Sequence, residues 1–248
     1  MTDPWIFPDW PAPSPVHAAV TTRHGPGMSA PPFERFNLGR STGDSVEAVD
    51  ANRGALRQAL ALPAAPRWLR QVHGADVAEL GPLPSPDAPQ ADAAVSHLPG
   101  TVLAILTADC LPVLFCNDEG TEIGAAHAGW RGLAGGVLQA TLTQLLSPPE
   151  RLMAWLGPCI GAASYEVGEE VRSAFLRTDA AASACFAPTR PGHWRCDLAA
   201  LARRQLTAAG VTRIHGGGFD TFTDPRLYSY RRDGGGSGRF ASLVWLDP

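Results

Sequence analysis

The chain has 248 residues, 45% of them hydrophobic, and a formal net charge of −4. This size and apolar content favour one large domain with a substantial core, and the negative charge, with no basic run, argues against general nucleic-acid binding. All 20 basic residues are arginines, so lysine Schiff-base chemistry is excluded and arginine must bind any anionic ligand.

Cysteine usage and the N-terminal sequence indicate the compartment. The five cysteines form no close-spaced pattern, which is typical of reduced thiols and not of a disulfide framework. The first residues lack a charged segment leading into an apolar one, and no apolar run approaches transmembrane length. We therefore expect a cytoplasmic protein without a membrane partner.

The first third of the chain is predicted to hold one helix and few strands. Residues 1–30 are rich in proline and are expected to form an irregular arm over the domain. A helix is predicted over 43–62, with Asp44 or Ser45 as its N-cap. Two short strands are expected to flank His73, before a proline-rich loop.

The rest of the chain alternates between apolar strands and helices. Apolar, partly β-branched runs predict strands over 101–107, 111–116, 121–128, 152–156, 211–215 and 240–246. Helical spacing predicts helices over 133–146, 165–176 and 197–209. Because several neighbouring strands are joined by hairpins, we expect an α+β fold with mixed sheets and helices packed outside, an αββα sandwich.

Three possible metal ligands stand where predicted strands give way to small residues: His73, Cys110 and His127. Side chains at the ends of strands can converge at one edge of a sheet. Two imidazoles and a thiolate suit zinc, with a fourth position left for water or substrate. The pattern therefore predicts a reactive metal site.

The same residues allow other interpretations. Cys110 could be a buried apolar thiol, or a nucleophile activated by His127 or His73 as a base. The spacing is not that of a compact zinc motif, so spacing alone leaves these alternatives open.

Several segments together resemble a known family over nearly the whole chain. The bacterial laccase-domain family, variously called multicopper polyphenol oxidase, peptidoglycan editing factor and purine nucleoside phosphorylase, has similar segments in the same order: Asn37-Leu38-Gly39, Asn52-Arg53, Gln71-Val72-His73-Gly74, Thr107-Ala108-Asp109-Cys110-Leu111-Pro112, His127-Ala128-Gly129-Trp130-Arg131-Gly132, Gly157-Pro158-Cys159-Ile160-Gly161, Tyr165-Glu166-Val167 and Ser229-Tyr230-Arg231-Arg232-Asp233. The resemblance implies one catalytic domain spanning residues 1–248, with His73, Cys110 and His127 as metal ligands.

The resemblance implies a zinc enzyme whose partners are purine nucleosides and phosphate. Its reactions would be phosphorolysis of adenosine, inosine, guanosine and methylthioadenosine, and deamination of adenosine. Arg131, Arg231 and Arg232 could bind phosphate through bidentate contacts, although Arg231 and Arg232 could equally be a solvated surface pair. Asp109, beside Cys110, is the nearest candidate for a proton shuttle in deamination, and its alternative role is to cap a turn. We expect a monomer or a small homo-oligomer.

Two other functions compete with this one. The His₂Cys set is also that of blue copper, so a copper polyphenol oxidase is possible, although the seven histidines include no His-x-His pair of the kind that builds a trinuclear cluster. A hydrolase editing peptidoglycan precursors would instead use Cys110 as nucleophile and His127 as base.

The chain departs from the family pattern in one loop. Asp220-Thr221 stands where the family usually has Cys-Thr, and residues 234–239 include an extra glycine. Neither change involves His73, Cys110 or His127. Because of both changes, the resemblance leaves the role of the loop at 216–239 open.

Overall fold

A computed structural model describes residues 3–83 and 87–248. The described part contains thirteen strands: β1 (Trp5–Ile6), β2 (Val16–Thr21), β3 (Val77–Glu79), β4 (Ala93–Ser96), β5 (Val102–Thr107), β6 (Leu111–Asn117), β7 (Ile123–Ala128), β8 (Leu152–Leu156), β9 (Glu166–Gly168), β10 (Phe186–Arg190), β11 (His193–Cys196), β12 (Arg213–Gly216) and β13 (Phe240–Leu246). Its α-helices are α1 (Val46–Ala59), α2 (Trp130–Ala134), α3 (Val137–Gln144), α4 (Glu169–Leu176), α5 (Leu198–Ala208) and α6 (Tyr230–Asp233). None of these helices is long and apolar enough to cross a membrane.

The strands form three sheets. A four-stranded antiparallel sheet has the order β1-β2-β13-β5, and a six-stranded mixed sheet has the order β12-β8-β6-β7-β4-β3. In the larger sheet, β12 runs parallel to β8 and β3 runs parallel to β4, whereas the other pairs are antiparallel. A small third sheet has the order β10-β11-β9. The predicted α+β class is confirmed.

The two larger sheets pack face to face and helices cover their outer faces. Leu114 of β6 packs between the sheets with Leu103 of β5 and Val244 of β13. The neighbouring β6 residues Val113 and Phe115 point the other way, into a core with the helices, because side chains alternate along a strand. A third apolar cluster joins α1 to the far face of the four-stranded sheet. The layers therefore run helix, sheet, sheet, helix.

The prediction of an irregular arm over residues 1–30 was wrong where the chain forms β1 and β2. Val16–Thr21 forms β2, which pairs with β13 in the register Val20↔Ser242. Its partner lies more than 200 residues away along the chain, so the prolines nearby dominated the local pattern. How the chain divides into domains stays a prediction.

Most other differences between the predicted and the observed elements concern where helices begin and end. The first predicted helix is confirmed as α1, and Ser45 caps it by accepting a hydrogen bond from the Ala48 N–H at 3.2 Å. The helix predicted over 133–146 is split into α2 and α3, and Gly136 between them has φ +86°. Residues 166–168 are a strand, not helix, because they pair with β11.

Some strands were predicted where the chain forms none, and others were missed. The strand expected before His73 is reduced to isolated bridges at Arg67 and Arg70. Sequence patterns did not indicate β4, β10 or β11. Part of the expected proline-rich loop, residues 84–86, lies outside the described residues.

Candidate metal centre

The candidate centre lies at one edge of the six-stranded sheet, where the chain crosses from the other sheet. β5 ends at Thr107 in the four-stranded sheet, and β6 begins at Leu111 in the six-stranded sheet. Cys110 therefore sits on the short connection between the two layers. A side chain at this junction can be approached from outside both sheets.

The register of β6 and β7 places His127 beside Cys110. β6 and β7 form an antiparallel hairpin in which Leu111 lies opposite Ala128 and Pro112 opposite His127. Cys110, just before β6, is thus beside the end of β7 that carries His127. A hairpin fixes this pairing because a one-residue slip would turn His127 to the opposite face of the sheet.

A buried carboxylate, that of Asp92, positions His73. Asp92, fully buried just before β4, accepts hydrogen bonds from the backbone N–H groups of Val72 (3.1 Å), His73 (2.9 Å) and Gly74 (2.7 Å). Its Oδ1 also lies 2.8 Å from Nδ1 of His127. One side chain therefore fixes the loop carrying His73 and the ring of His127 together.

The three predicted ligands meet in space. Ligand atoms of His73, Cys110 and His127 all lie within 4.8 Å of one another, and the two imidazole rings meet edge to face with centroids 4.7 Å apart. His127 is buried, Cys110 is partly buried and His73 is exposed. The group is therefore open on the His73 side.

Two residues of the site adopt backbone conformations that are uncommon outside glycine. His73 has φ +63° and Asp109 has φ +91°. Such conformations cost free energy and persist only where surrounding contacts hold them. The Asp92 carboxylate holds His73, and the Asp109 carbonyl accepts a hydrogen bond from the Ile160 N–H at 2.9 Å.

The electrostatics favour a thiolate at Cys110. Burial acts to raise the pKa of this thiol, but the imidazoles of His127 and His73 lower it to about 6. Burial acts to lower the pKa of His127, whereas the negative charges of Cys110 and Asp92 raise it to about 9. Asp92 keeps a lowered pKa despite its burial, because His127 and backbone N–H groups donate to it.

This donor set fits a metal ion. A thiolate and imidazole nitrogens are the ligands that zinc prefers, and two imidazoles with a thiolate leave a coordination position open. His127 offers its Nε2 because Nδ1 is engaged by Asp92, an arrangement that orients metal-binding histidines in general. His73, Cys110 and His127 can therefore hold a metal ion.

Gly129 leaves room for the cysteine. A Cβ atom at this position would lie 2.7 Å from Sγ of Cys110 and 3.7 Å from Cδ2 of His73. Gly129 is also the N-cap of α2, and the first two residues of this helix are Trp130 and Arg131. The glycine turn after β7 is thus required by the close approach of the thiol.

Asp109 is occupied as a loop anchor. Its carboxylate accepts hydrogen bonds from the Thr221 hydroxyl at 2.6 Å and from the Arg231 backbone N–H at 2.6 Å. One carboxylate oxygen is therefore engaged with the loop that follows β12, and the other with the start of α6. The carboxylate thus joins the cysteine turn to a distant segment and, among the described residues, does not cap a local turn, and its catalytic role stays a prediction.

Asp220, which stands where the family usually has cysteine, joins two loops. Its carboxylate accepts hydrogen bonds from the Gly161 N–H (2.9 Å), the Phe222 N–H (3.0 Å) and the Ser164 hydroxyl (2.6 Å). The loop after β8 is thereby tied to the loop after β12. The aspartate gives this part of the site a structural support.

The three predicted phosphate-binding arginines differ in their availability. Arg131 is exposed, with its guanidinium 4.4 Å from the ring centroid of Trp130. Arg231 lies 5.3 Å from the ring of Tyr165 and donates one hydrogen bond to the Glu166 carbonyl.

Arg232 is committed to its own loop. Its guanidinium donates to the carbonyls of Thr221, Phe222, Asp224 and Leu227 and to the carboxylate of Asp233. These contacts use its donors, so the structure argues against the predicted phosphate role of Arg232.

Three residues near the site were not singled out from the sequence. Asp92 lies in a run of small apolar residues, and only its burial beside His127 reveals it. Tyr165 is close enough to Cys110, Arg131 and Arg231 for their charges to act on its pKa, which burial raises. Its segment carried part of the family resemblance. Arg239, before β13, is the third.

The αββα sandwich with a His₂Cys group at the junction of its sheets defines an α+β protein with a candidate metal centre. The chain belongs to the family described as multi-copper polyphenol oxidoreductase laccase, which it matches over residues 17–247. The family resemblance predicted from the motifs is thus confirmed.

Relatives match the chain over almost its full length. A Pseudomonas aeruginosa protein named purine nucleoside phosphorylase is 52% identical, over 98% of this chain and 98% of its own. A Xylella fastidiosa protein of the same name is 51% identical, over 98% and 97%. The crystal structure of a Neisseria meningitidis protein has a TM-score of 0.93 and 43% identity, covering 99% of this chain and 100% of its own.

Proposed function

We propose that this protein is a zinc-dependent purine nucleoside phosphorylase acting on adenosine, inosine, guanosine and methylthioadenosine, with adenosine deaminase activity. The observation that carries the proposal is the open His73–Cys110–His127 group with arginines beside it. The name of the relatives supports the reaction class, since proteins at 51% and 52% identity are named purine nucleoside phosphorylases.

Each residue of the centre has a role in this proposal. His73, Cys110 and His127 would hold zinc, which supplies Lewis acidity when bound. Asp92 keeps His127 in the tautomer that presents Nε2. Arg131 and Arg231 would bind phosphate, since an arginine fork matches two oxygens of that anion.

The aromatic residues around the opening suit a nucleoside. Tyr165 is half-buried beside Arg131 and Arg231, while Phe222 and Tyr230 keep exposed side chains on the loop anchored by Asp109. Aromatic faces offer stacking surfaces for a purine ring. Deamination through Asp109 would require this carboxylate to release the Thr221 hydroxyl or the Arg231 N–H.

The copper oxidase is the second candidate, because the family description names it and the same donors suit copper. A multi-copper cluster needs further histidines. Across residues 3–83 and 87–248, one group of three or more metal-ligating residues is found, and the other histidines are dispersed over the fold. The phosphorylase is therefore the better supported proposal.

The free thiols support the proposed location. All five cysteines are unpaired, which fits a reducing compartment. We therefore keep the cytoplasm as the proposed location.

The test measures metal and activity on the same preparation. Elemental analysis should give one zinc per chain in a colourless protein, and adenosine with phosphate should yield adenine and ribose 1-phosphate. Arg131→Ala should raise the KM for phosphate, with its zinc content unchanged. Stoichiometric copper with a strong visible thiolate-to-copper band would overturn the zinc proposal, and a protein that leaves adenosine intact would overturn the phosphorylase.

A further inference from the structure

Arg239 lies at the same edge of the molecule as the candidate metal centre, for a topological reason. It directly precedes β13, in which Phe240 pairs with Thr107, the last residue of β5. The chain leaving β5 runs at once into Asp109 and Cys110. The start of β13 and the cysteine turn therefore lie at the same edge of the molecule.

The backbone of Arg239 is fixed on both sides. Its N–H donates to Oδ1 of Asn37 at 2.8 Å, and its carbonyl accepts from the Leu38 N–H at 3.0 Å. Asn37 is itself buried and donates through Nδ2 to Thr42 and Asp44, each at 2.9 Å. The backbone position of Arg239 is therefore held by Asn37 and Leu38.

Gly39 makes room for the side chain. A Cβ atom on Gly39 would lie 2.7 Å from Cγ of Arg239, so any larger residue there would displace the arginine stem. The segment Asn37-Leu38-Gly39, to which the proposed function gives no role, thus positions Arg239.

The guanidinium itself is only partly used. Its Nη1 donates to the carbonyls of Ser237 (2.8 Å) and Gly238 (2.9 Å). Within the described residues, Nε and Nη2 make no hydrogen bond and no carboxylate forms an ion pair with Arg239. The Tyr230 ring centroid lies 5.8 Å from its central carbon.

The guanidinium of Arg239 lies within electrostatic reach of the centre. The negative charges of Cys110 and Asp109 act to raise its pKa, against the larger lowering by burial. A half-buried cation without an ion pair is costly unless an anion accompanies it. Together, Nε and Nη2 present a fork of two donors that matches two oxygens of a tetrahedral anion.

We propose that Arg239 is an anion-binding residue of this site and binds the phosphate that the reaction consumes, through Nε and Nη2. This inference rests on the proposed function for the identity of the anion. Arg131 and Arg231 lie on the exposed side, and Arg232 is committed to its loop, so Arg239 is the half-buried member of the phosphate site.

The test is equilibrium dialysis of inorganic phosphate against the purified protein, with the metal content of every sample measured. Arg239→Gln should weaken phosphate binding by about tenfold or more, the loss expected for a charge-assisted bidentate contact. Arg195→Gln is the matched control, because Arg195 is exposed on β11 and its loss removes the same charge. It should bind phosphate as the wild type does.

Arg239→Lys distinguishes a lost phosphate contact from a folding defect, because lysine keeps the positive charge but cannot make the two parallel hydrogen bonds of an arginine. It should keep the melting temperature and bind phosphate more weakly than the wild type. In steady-state assays, both Arg239 variants should raise the KM for phosphate more than that for adenosine.

The outcomes separate this inference from the proposed function. Phosphate binding that depends on Arg239 supports the inference even if adenosine is not cleaved. Wild-type affinity in both Arg239 variants, with phosphorolysis intact, overturns the role of Arg239 alone. A wild-type protein that binds no phosphate overturns both.

Discussion

Asp92 accepts hydrogen bonds from His127 and from three backbone N–H groups around His73, and it does so while fully buried. A buried carboxylate is stable in this state only while its donors remain in place. The geometry of two candidate ligands, His73 and His127, therefore depends on one side chain that does not belong to the candidate ligand set.

Asp92→Asn tests this dependence. An asparagine keeps the shape but presents an N–H₂ group to donors, so the His127 ring and the His73 loop should lose their common anchor. We expect metal affinity to fall by about ten- to hundredfold, as for other residues that orient metal ligands. Competition against a chromophoric chelator measures the affinity. Asp118→Asn is the control, because Asp118 is an exposed carboxylate paired with Arg151. This variant should leave the metal affinity unchanged. Equal affinity in both variants would contradict the role of Asp92.

Cys110→Ser separates a ligand from a nucleophile. A serine hydroxyl stays protonated at neutral pH where a metal-bound thiol does not, so zinc occupancy and turnover should fall together. Cys185→Ser, at a partly exposed thiol outside the ligand group, should retain both. A variant that keeps its zinc but loses turnover, together with a covalent adduct on native Cys110 seen by mass spectrometry, would favour the hydrolase.

At the scale of elements, the turn between β7 and α2 sets the space available to the thiol. Gly129 has φ −63° and ψ 167°, a conformation that alanine also adopts, so a substitution there changes only the space. The added Cβ would stand 2.7 Å from Sγ of Cys110.

Gly129→Ala should therefore displace Cys110 and lower metal affinity, with the helices and sheets retained in circular dichroism. Gly54→Ala is the matched control, because Gly54 lies in α1 with no atom within 4 Å of the added Cβ. It should raise the free energy of unfolding by roughly 0.5–1 kcal/mol, since alanine is the better helix former. Full metal affinity in Gly129→Ala would show that the site can relax.

At the scale of the whole molecule, the centre joins parts of the chain that are distant in sequence. His73, Cys110 and His127 come from separate segments, and Cys110 lies on the connection between the two sheets. A ligand that binds only the folded arrangement stabilises the fold as a whole.

Metal removal should lower the melting temperature. At free zinc one hundredfold above its dissociation constant, binding contributes about 2.7 kcal/mol. For a domain of this size that corresponds to roughly 5–10 °C. Calorimetry with and without a strong chelator measures the shift, and Cys110→Ser should show none. An identical melting temperature for wild-type protein in both conditions would mean that little metal is bound.

Local pattern was enough to predict α1, all four strands between residues 101 and 156, α5 and β13. These elements carry strong apolar periodicity or a clear cap, and both are local properties. β2 and β9 were missed because their strand character comes from partners elsewhere in the chain. Pairing across long sequence separations leaves little trace in a short window of residues.

The sequence by itself determined the α+β class, the family and the three candidate metal ligands, because these follow from periodicity, residue chemistry and ordered motifs. Only the tertiary structure decided that Asp92 orients the candidate ligands and that Asp109 and Arg232 are engaged in loop contacts. It also decided that, within the described residues, Nε and Nη2 of Arg239 make no hydrogen bond. The reason is physical: whether a carboxylate or a guanidinium is available depends on the partners that folding brings to it, and those partners come from distant segments.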